Sequence, residues 1–105
     1  MQARVTTFVG LVPERIAATV AEFREKQIPL LEQSPGFRGV WCGVDVNGGR
    51  AIAVTYWDTV ESMRASDVLA AQARAVAVTT AGVDPERHPM IDRYEVVLQT
   101  EPAHA

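Results

Sequence analysis

The sequence predicts an α+β domain in which four antiparallel strands carry two helices on one face, in the chain order β-α-β-β-α-β. Three observations lead there. Runs of β-branched and aromatic residues bounded by turn formers, at 3–11, 37–46, 50–57 and about 90–99, read as strands. Segments with apolar residues at helical spacing lie between the first and second runs and between the third and fourth. The middle two runs adjoin through Asn47-Gly48-Gly49, residues tolerant of the positive φ that a tight hairpin needs.

Each element has a local cause. The first strand, ARVTTFVGL at 3–11, is rich in branched side chains. Pro13 suits the first turn of a helix, where its missing N–H removes no bond. Ile16, Val20, Phe23, Leu30 and Leu31 form an apolar stripe, with Glu22, Arg24, Glu25 and Lys26 on the wet side. Pro29 should kink this helix or end its regular part, because its nitrogen has no hydrogen for the carbonyl of Glu25. Pro35-Gly36 ends it. After the hairpin, Asp58 with Glu61 three residues on predicts a capping box. The second helix should then run towards Thr80 in two pieces, with Asp67 capping the second and Gly82 ending it. A Pro-bounded loop at 83–89 leads to the last strand, and the tail from Glu101 should be loose. Two helices on one side of such a sheet make the ferredoxin-like arrangement.

The 105 residues are read as one domain, residues 1–105, with its core at about 3–100. A domain this small buries only about two-thirds of its unfolded surface, so a partner subunit would help it. A net charge of −3 without any Lys/Arg cluster argues against nucleic acid or an anionic membrane surface. No apolar run approaches the roughly 18 residues of a spanning helix, and the first residues lack the pattern of a signal peptide. Cys42 is the one cysteine, so no intrachain disulfide forms, and a cytoplasmic location is expected. The two histidines, His88 and His104, lack metal-ligand spacing, and no metal or other cofactor is expected.

The hairpin carries a further inference. With a two-residue loop, Phe37, Trp41, Ile52, Val54 and Tyr56 share one face, and Val40, Cys42, Val44, Ala51, Ala53, Thr55 and Trp57 share the other. A three-residue loop would swap the pairing of those faces. Neither face is polar, yet one layer of helices covers only one, so a homodimer joined through sheet faces is expected.

Ser34-Pro35-Gly36-Phe37-Arg38-Gly39, followed by Tyr56-Trp57-Asp58, resembles the antibiotic-biosynthesis-monooxygenase family of small dimeric α/β barrels. The resemblance covers most of the chain and implies the same fold and a homodimer. It also implies a cofactor-independent monooxygenase acting on a small aromatic or polyketide-like compound, whose deprotonated form reacts with dioxygen directly. Such a site needs an apolar pocket, donors that hold an anion, and a proton acceptor. Pocket candidates are Trp57, Tyr56, Trp41, Tyr94, Arg38, Arg93 and His88, with no catalytic role assigned to any. Trp57 is expected to wall a pocket between the second helix and the sheet, unless it is a core aromatic, and Tyr56 to point the other way, into the dimer barrel.

Haem-degrading members of the family imply an Asn in the first strand, a second-helix Trp and an iron-ligating second-helix His. This chain has no Asn before Asn47, no Trp after Trp57, and Ala71-Gln72-Ala73-Arg74-Ala75-Val76 in the helix, so haem degradation is not expected. Ala70, Ala71, Ala73, Ala75 and Ala77 point to close packing of that helix on the sheet, or to a roomy gap beneath it, with close packing preferred. The alternative to an enzyme is a non-catalytic homodimeric module that binds a small apolar ligand or serves as an accessory protein.

Overall fold

The computed structural model describes residues 1–84 and 86–100; the tail from Glu101, with His104, lies outside them. Strands β1 (Gln2–Phe8), β2 (Phe37–Asp45), β3 (Arg50–Trp57) and β4 (Met90–Glu95) form one antiparallel sheet in the order β2-β3-β1-β4. The helical layer comprises α1 (Ile16–Glu22), α2 (Ile28–Glu32), α3 (Val60–Ala65) and α4 (Asp67–Thr80). This is the predicted ferredoxin-like α+β arrangement.

The helix between β1 and β2 is broken where Pro29 requires it. A 3₁₀ turn at Pro13–Arg15 leads into α1, and a π turn at Phe23–Gln27 separates α1 from α2. Across that wide turn the Ile28 N–H donates to the carbonyl of Phe23. One extra residue in the turn makes room for the proline ring at the start of α2 and rotates the side chains beyond it about the helix axis. Leu31 is thereby buried, while Leu30, assigned by spacing to the apolar stripe, is exposed.

The hairpin loop holds four residues, 46–49, and leaves Asp45 paired with Arg50. Four residues preserve the face parity expected for two, so Trp41, Ile52, Val54 and Tyr56 do share a face. Phe37 does not join them. Trp57 pairs with Phe37 and Tyr56 with Gly39, so a bulge at Arg38 carries Phe37 to the opposite face. Its ring there meets Trp57 edge-on, with centroids 5.5 Å apart.

The caps also differ from expectation. Thr59, not Asp58, caps α3: its hydroxyl accepts the Ser62 N–H at 3.0 Å. Asp67 is the first residue of α4 instead of its cap, and its carboxylate pairs with Arg4 of β1. That cross-layer pair uses the side chain that a cap would need. Gly82, at φ +72, ends the helix as expected, and the Val83 N–H returns to the carbonyl of Val78 at 3.1 Å. The first and last strands stop at Phe8 and Glu95, short of residues 11 and 99.

Helices cover one sheet face at its two ends. One cluster joins Leu11, Ile16, Ala81 and Val83 with Phe8 and Ala51. The other joins Leu31, Trp57 and Met63 with Phe23, Phe37 and Leu69. Among the described residues no helix lies on the opposite sheet face. Trp41, Tyr94 and Met90 are more than half exposed there, beside Ile52 and Val54.

Candidate functional site

Between the two clusters the layers separate around an apolar cavity of about 130 Å³. Its floor is the helix-side face of the sheet, chiefly Thr6, Phe8, Ala51, Ala53 and Thr55. Ile16, Phe23 and Leu31 close its sides. Its roof is α4, whose Ala70, Ala73 and Ala77 lie one helical turn apart and reach no further than a methyl group. Small side chains above and below thus leave the space empty. The gap, rather than the preferred close packing, is what the alanines produce.

One end of the cavity is cationic. Arg4, only 2% exposed, donates to the Met63 carbonyl at 2.7 Å and pairs with Asp67. Its Nε–H has no hydrogen-bond partner among the described residues. Burial lowers the Arg4 pKa from its ordinary value, against the raising pull of Asp67. Arg74, on α4, also lines the cavity, and its pKa too is lowered, by burial and then by the nearby charge of Arg93. Arg93, on β4, reaches the same Asp67 carboxylate at 3.5 Å. Guanidinium groups stay protonated, so these shifts report chiefly the burial of Arg4 and Arg74, with the Arg93 charge as a lesser contribution.

Three hydroxyls and a thiol complete the polar lining. The Thr55 oxygen accepts from Trp57 Nε1 at 3.0 Å, which leaves the Thr55 O–H available as a donor. Thr6 is buried, and Thr19 donates its hydroxyl to the Arg15 carbonyl. Cys42, on edge strand β2, lines the cavity while remaining exposed, and desolvation pushes its thiol up, keeping it protonated.

The seven residues expected from sequence do not gather here. Trp57 is fully buried in the Leu31–Met63 cluster and stands behind Thr55, outside the cavity wall. Tyr56, Trp41 and Tyr94 lie on the helix-free face. Arg38 is exposed at the bulge, and exposed His88 borders a separate shallow recess with Arg87 and Pro89. Arg93 alone stands near the cavity, at its cationic end. Arg4, Arg74 and Thr55, which do line the cavity, were not among the candidates. An arginine interrupting the apolar run of the first strand was the signal that marked Arg4.

No protein-family model matches the chain. Two uncharacterized proteins of Mycobacterium tuberculosis are 39% identical to it over 64 residues, 61% of this chain. The matched segment spans only 27% of each relative's length. Solved structures extend the comparison to nearly the whole chain. The Streptomyces coelicolor monooxygenase from the gene ActVA-Orf6, solved with nanaomycin D, has a TM-score of 0.76 at 16% identity, covering 97% of this chain and 92% of its own. The Mycobacterium tuberculosis heme-degrader MhuD, with two hemes in its active site, gives 0.65 at 21% identity, covering 96% and 100%. An antibiotic biosynthesis monooxygenase gives 0.63 at 16%, covering 93% and 100%. The chain therefore has the fold shared by the antibiotic-biosynthesis-monooxygenase structures and the heme-degrader.

Proposed function

We propose that the chain binds a small aromatic compound in the cavity under α4 and acts on it as a cofactor-independent monooxygenase. The carrying observation is the apolar cavity with the buried, incompletely hydrogen-bonded Arg4 at one end. An apolar chamber with a few polar groups converging on it is the usual form of a ligand site. Its volume is close to the roughly 150 Å³ of an engineered protein cavity that holds benzene. The preferred ligand is therefore one ring wide, and a larger polyketide would have to project through the opening.

The reaction needs the substrate as an electron-rich phenolate: a ring carbon bonds one oxygen of dioxygen to give a hydroperoxide, the O–O bond then breaks and the outer oxygen leaves as water, and the ring carbon becomes the carbonyl of a quinone. No carboxylate or histidine lines the cavity among the described residues, and the Cys42 thiol is held protonated. The substrate must then arrive ionised, with Arg4, Arg74 and the Thr55 hydroxyl holding its charge. Ala70, Ala73, Arg74 and Ala77 offer iron no donor from α4. No step is assigned to haem.

We also propose that the chain works as a single-domain cytoplasmic homodimer joined through the helix-free sheet face. No helix among the described residues is long and apolar enough to cross a membrane. Trp41, Tyr94 and Met90 give the sheet face an apolar surface that a second copy would cover, burying more than about 1,000 Å² in total. Sedimentation at micromolar concentration should show a dimer; a monomer would contradict this assembly.

Oxygen uptake by the purified protein, measured across a panel of one-ring acidic phenols without added metal or flavin, tests the activity. The expected result is uptake that depends on protein and phenol together. Binding without uptake would instead support the second reading, a non-catalytic binding module, which the absence of a proton acceptor along the described lining favours.

A further inference from the structure

Resting on the reading of the helix-free sheet face as a homodimer interface, we infer that Asp92 links that association to protons. Each copy takes up a proton as the dimer forms, so the dimer tightens as the pH falls. The placement follows from register. Asp92 of β4 pairs with Val5 of β1, Val5 with Val54 of β3, and Val54 with Trp41 of β2. Directly paired residues point to the same side, so these four form one row across the helix-free face. The rows on either side carry no charge, and their titratable groups are the phenols of Tyr56 and Tyr94. One carboxylate therefore stands, half-buried between Met90 and Tyr94, in a field of apolar side chains.

No cation neutralises it. Among the described residues the Asp92 carboxylate has no ion-pair partner, and the Arg93 guanidinium beside it in sequence is on the helix side with Asp67. Arg50 is on the same face as Asp92 but at the hairpin end of β3, where it is paired with Asp45 at 2.7 Å. Arg38, at the bulge on the far edge strand β2, stands close enough to Asp58 for its charge to act there. A second copy related by a two-fold axis presents this same face. What it brings over Asp92 is then an apolar side chain, a phenol or its own Asp92, none of them a cation. Apolar burial and a neighbouring like charge both disfavour a carboxylate, and protonation relieves both. The free chain leaves the group in contact with water, which favours the charged form, so the dimer holds more protons than two separate chains and acid favours association.

Sedimentation equilibrium of the intact protein at about pH 5 and about pH 7.5 tests this, with a dimer dissociation constant expected to be about tenfold lower or more at the acid value. Asp92→Asn keeps the shape of the side chain but cannot ionise. It should dimerise equally at both pH values and more tightly than the parent at the higher one, with an unchanged far-UV circular dichroism spectrum reporting that it is folded. The parent's own pH dependence tests the linkage without any variant. A dimer whose affinity is the same at both pH values would overturn the proton linkage and leave the homodimer standing. Monomers at both pH values would overturn the two together. A dimer that weakens in acid would mean that a cation of the second copy, Arg38 or Arg50, reaches Asp92, contrary to the inference. A pH dependence that persists in Asp92→Asn would remove the assignment to Asp92.

Discussion

The Trp57 end and the middle of the helix–sheet interface use the same two layers in opposite ways. At the Trp57 end, large side chains come from both sides: Trp57 and Phe37 from the sheet, Leu31, Met63 and Leu69 from the helices. In the middle, Ala70, Ala73 and Ala77 of α4 face Ala51 and Ala53 of β3. Because the far end is packed too, by Leu11, Ile16 and Ala81, α4 is held at both ends and bridges an empty span. The span is open to solvent on one side, and its walls forgo the contacts that close packing would supply. The difference separates residues that hold the fold from residues that leave room for a ligand.

Removing Trp57 should break that comparison most severely. Trp57→Ala is expected to cost about 3–5 kcal/mol, the usual toll for a buried aromatic, and to be read as a fall in the urea midpoint. Trp57→Phe should cost less and leave ligand affinity unchanged, because the ring stands outside the cavity wall. Weakened binding of an aromatic probe by Trp57→Phe, without loss of stability, would return Trp57 to the pocket.

Gly36 supports the same end through its backbone. It sits at φ +80 and its carbonyl accepts the Asp58 N–H at 2.9 Å, joining the start of β2 to the end of β3. An added Cβ would run into the Asp58 carboxylate and the Ser62 side chain. Gly36→Ala should therefore lose about 1–3 kcal/mol, combining a disfavoured φ with steric displacement. Chemical denaturation compared with Gly39→Ala, where nothing lies within 4 Å of the added carbon, separates the clash from the backbone term.

Filling the middle should act with the opposite sign. Ala77→Leu places an apolar side chain in the void and is expected to raise stability by about 0.5–2 kcal/mol while abolishing binding of a one-ring probe. Thermal melts and probe titration on the same variant check both halves. A loss of stability with binding retained would mean that the span under α4 is not the ligand site.

The sequence made the fold legible because periodicity and punctuation agree along the chain. Pro29 located the break in the first helix and Gly82 the end of the second, whereas the face parity, open between a two- and a three-residue loop, was decided by a loop of four. Phe37 escaped because a one-residue bulge reverses sides without any change in composition. The caps escaped because Asp58, Thr59 and Asp67 are all good cap formers, and the Arg4 pair drew Asp67 away. The cavity was visible in part, as a row of alanines whose two outcomes differ only in how far the layers stand apart. That distance is set by the flanking clusters, which no local pattern encodes. The aromatic candidates stand apart from the cavity for the same reason, since Trp57 and Trp41 are on opposite faces and neither faces the void.

The smallest expected effect belongs to Asp58, at the surface of the Trp57 end. The Ser62 hydroxyl first, and then the Thr59 backbone N–H, hold its carboxyl below the ordinary aspartate value of about 3.9. A carboxyl with a depressed folded-state pKa stabilises the fold above its unfolded value, and that contribution fades as pH falls through the folded one. Stability should thus decline gently on acidification below about pH 4. Asp58→Asn should remove that part of the decline and lower the plateau at neutral pH slightly, because the charged acceptor becomes a neutral one. The carboxyl is fully exposed, so solvent screening keeps the effect small. Urea midpoints measured against pH for the two proteins make the test. Curves that stay parallel through the acid range would show that Asp58 contributes no pH dependence, and that the corner at Gly36 rests on backbone conformation and packing alone.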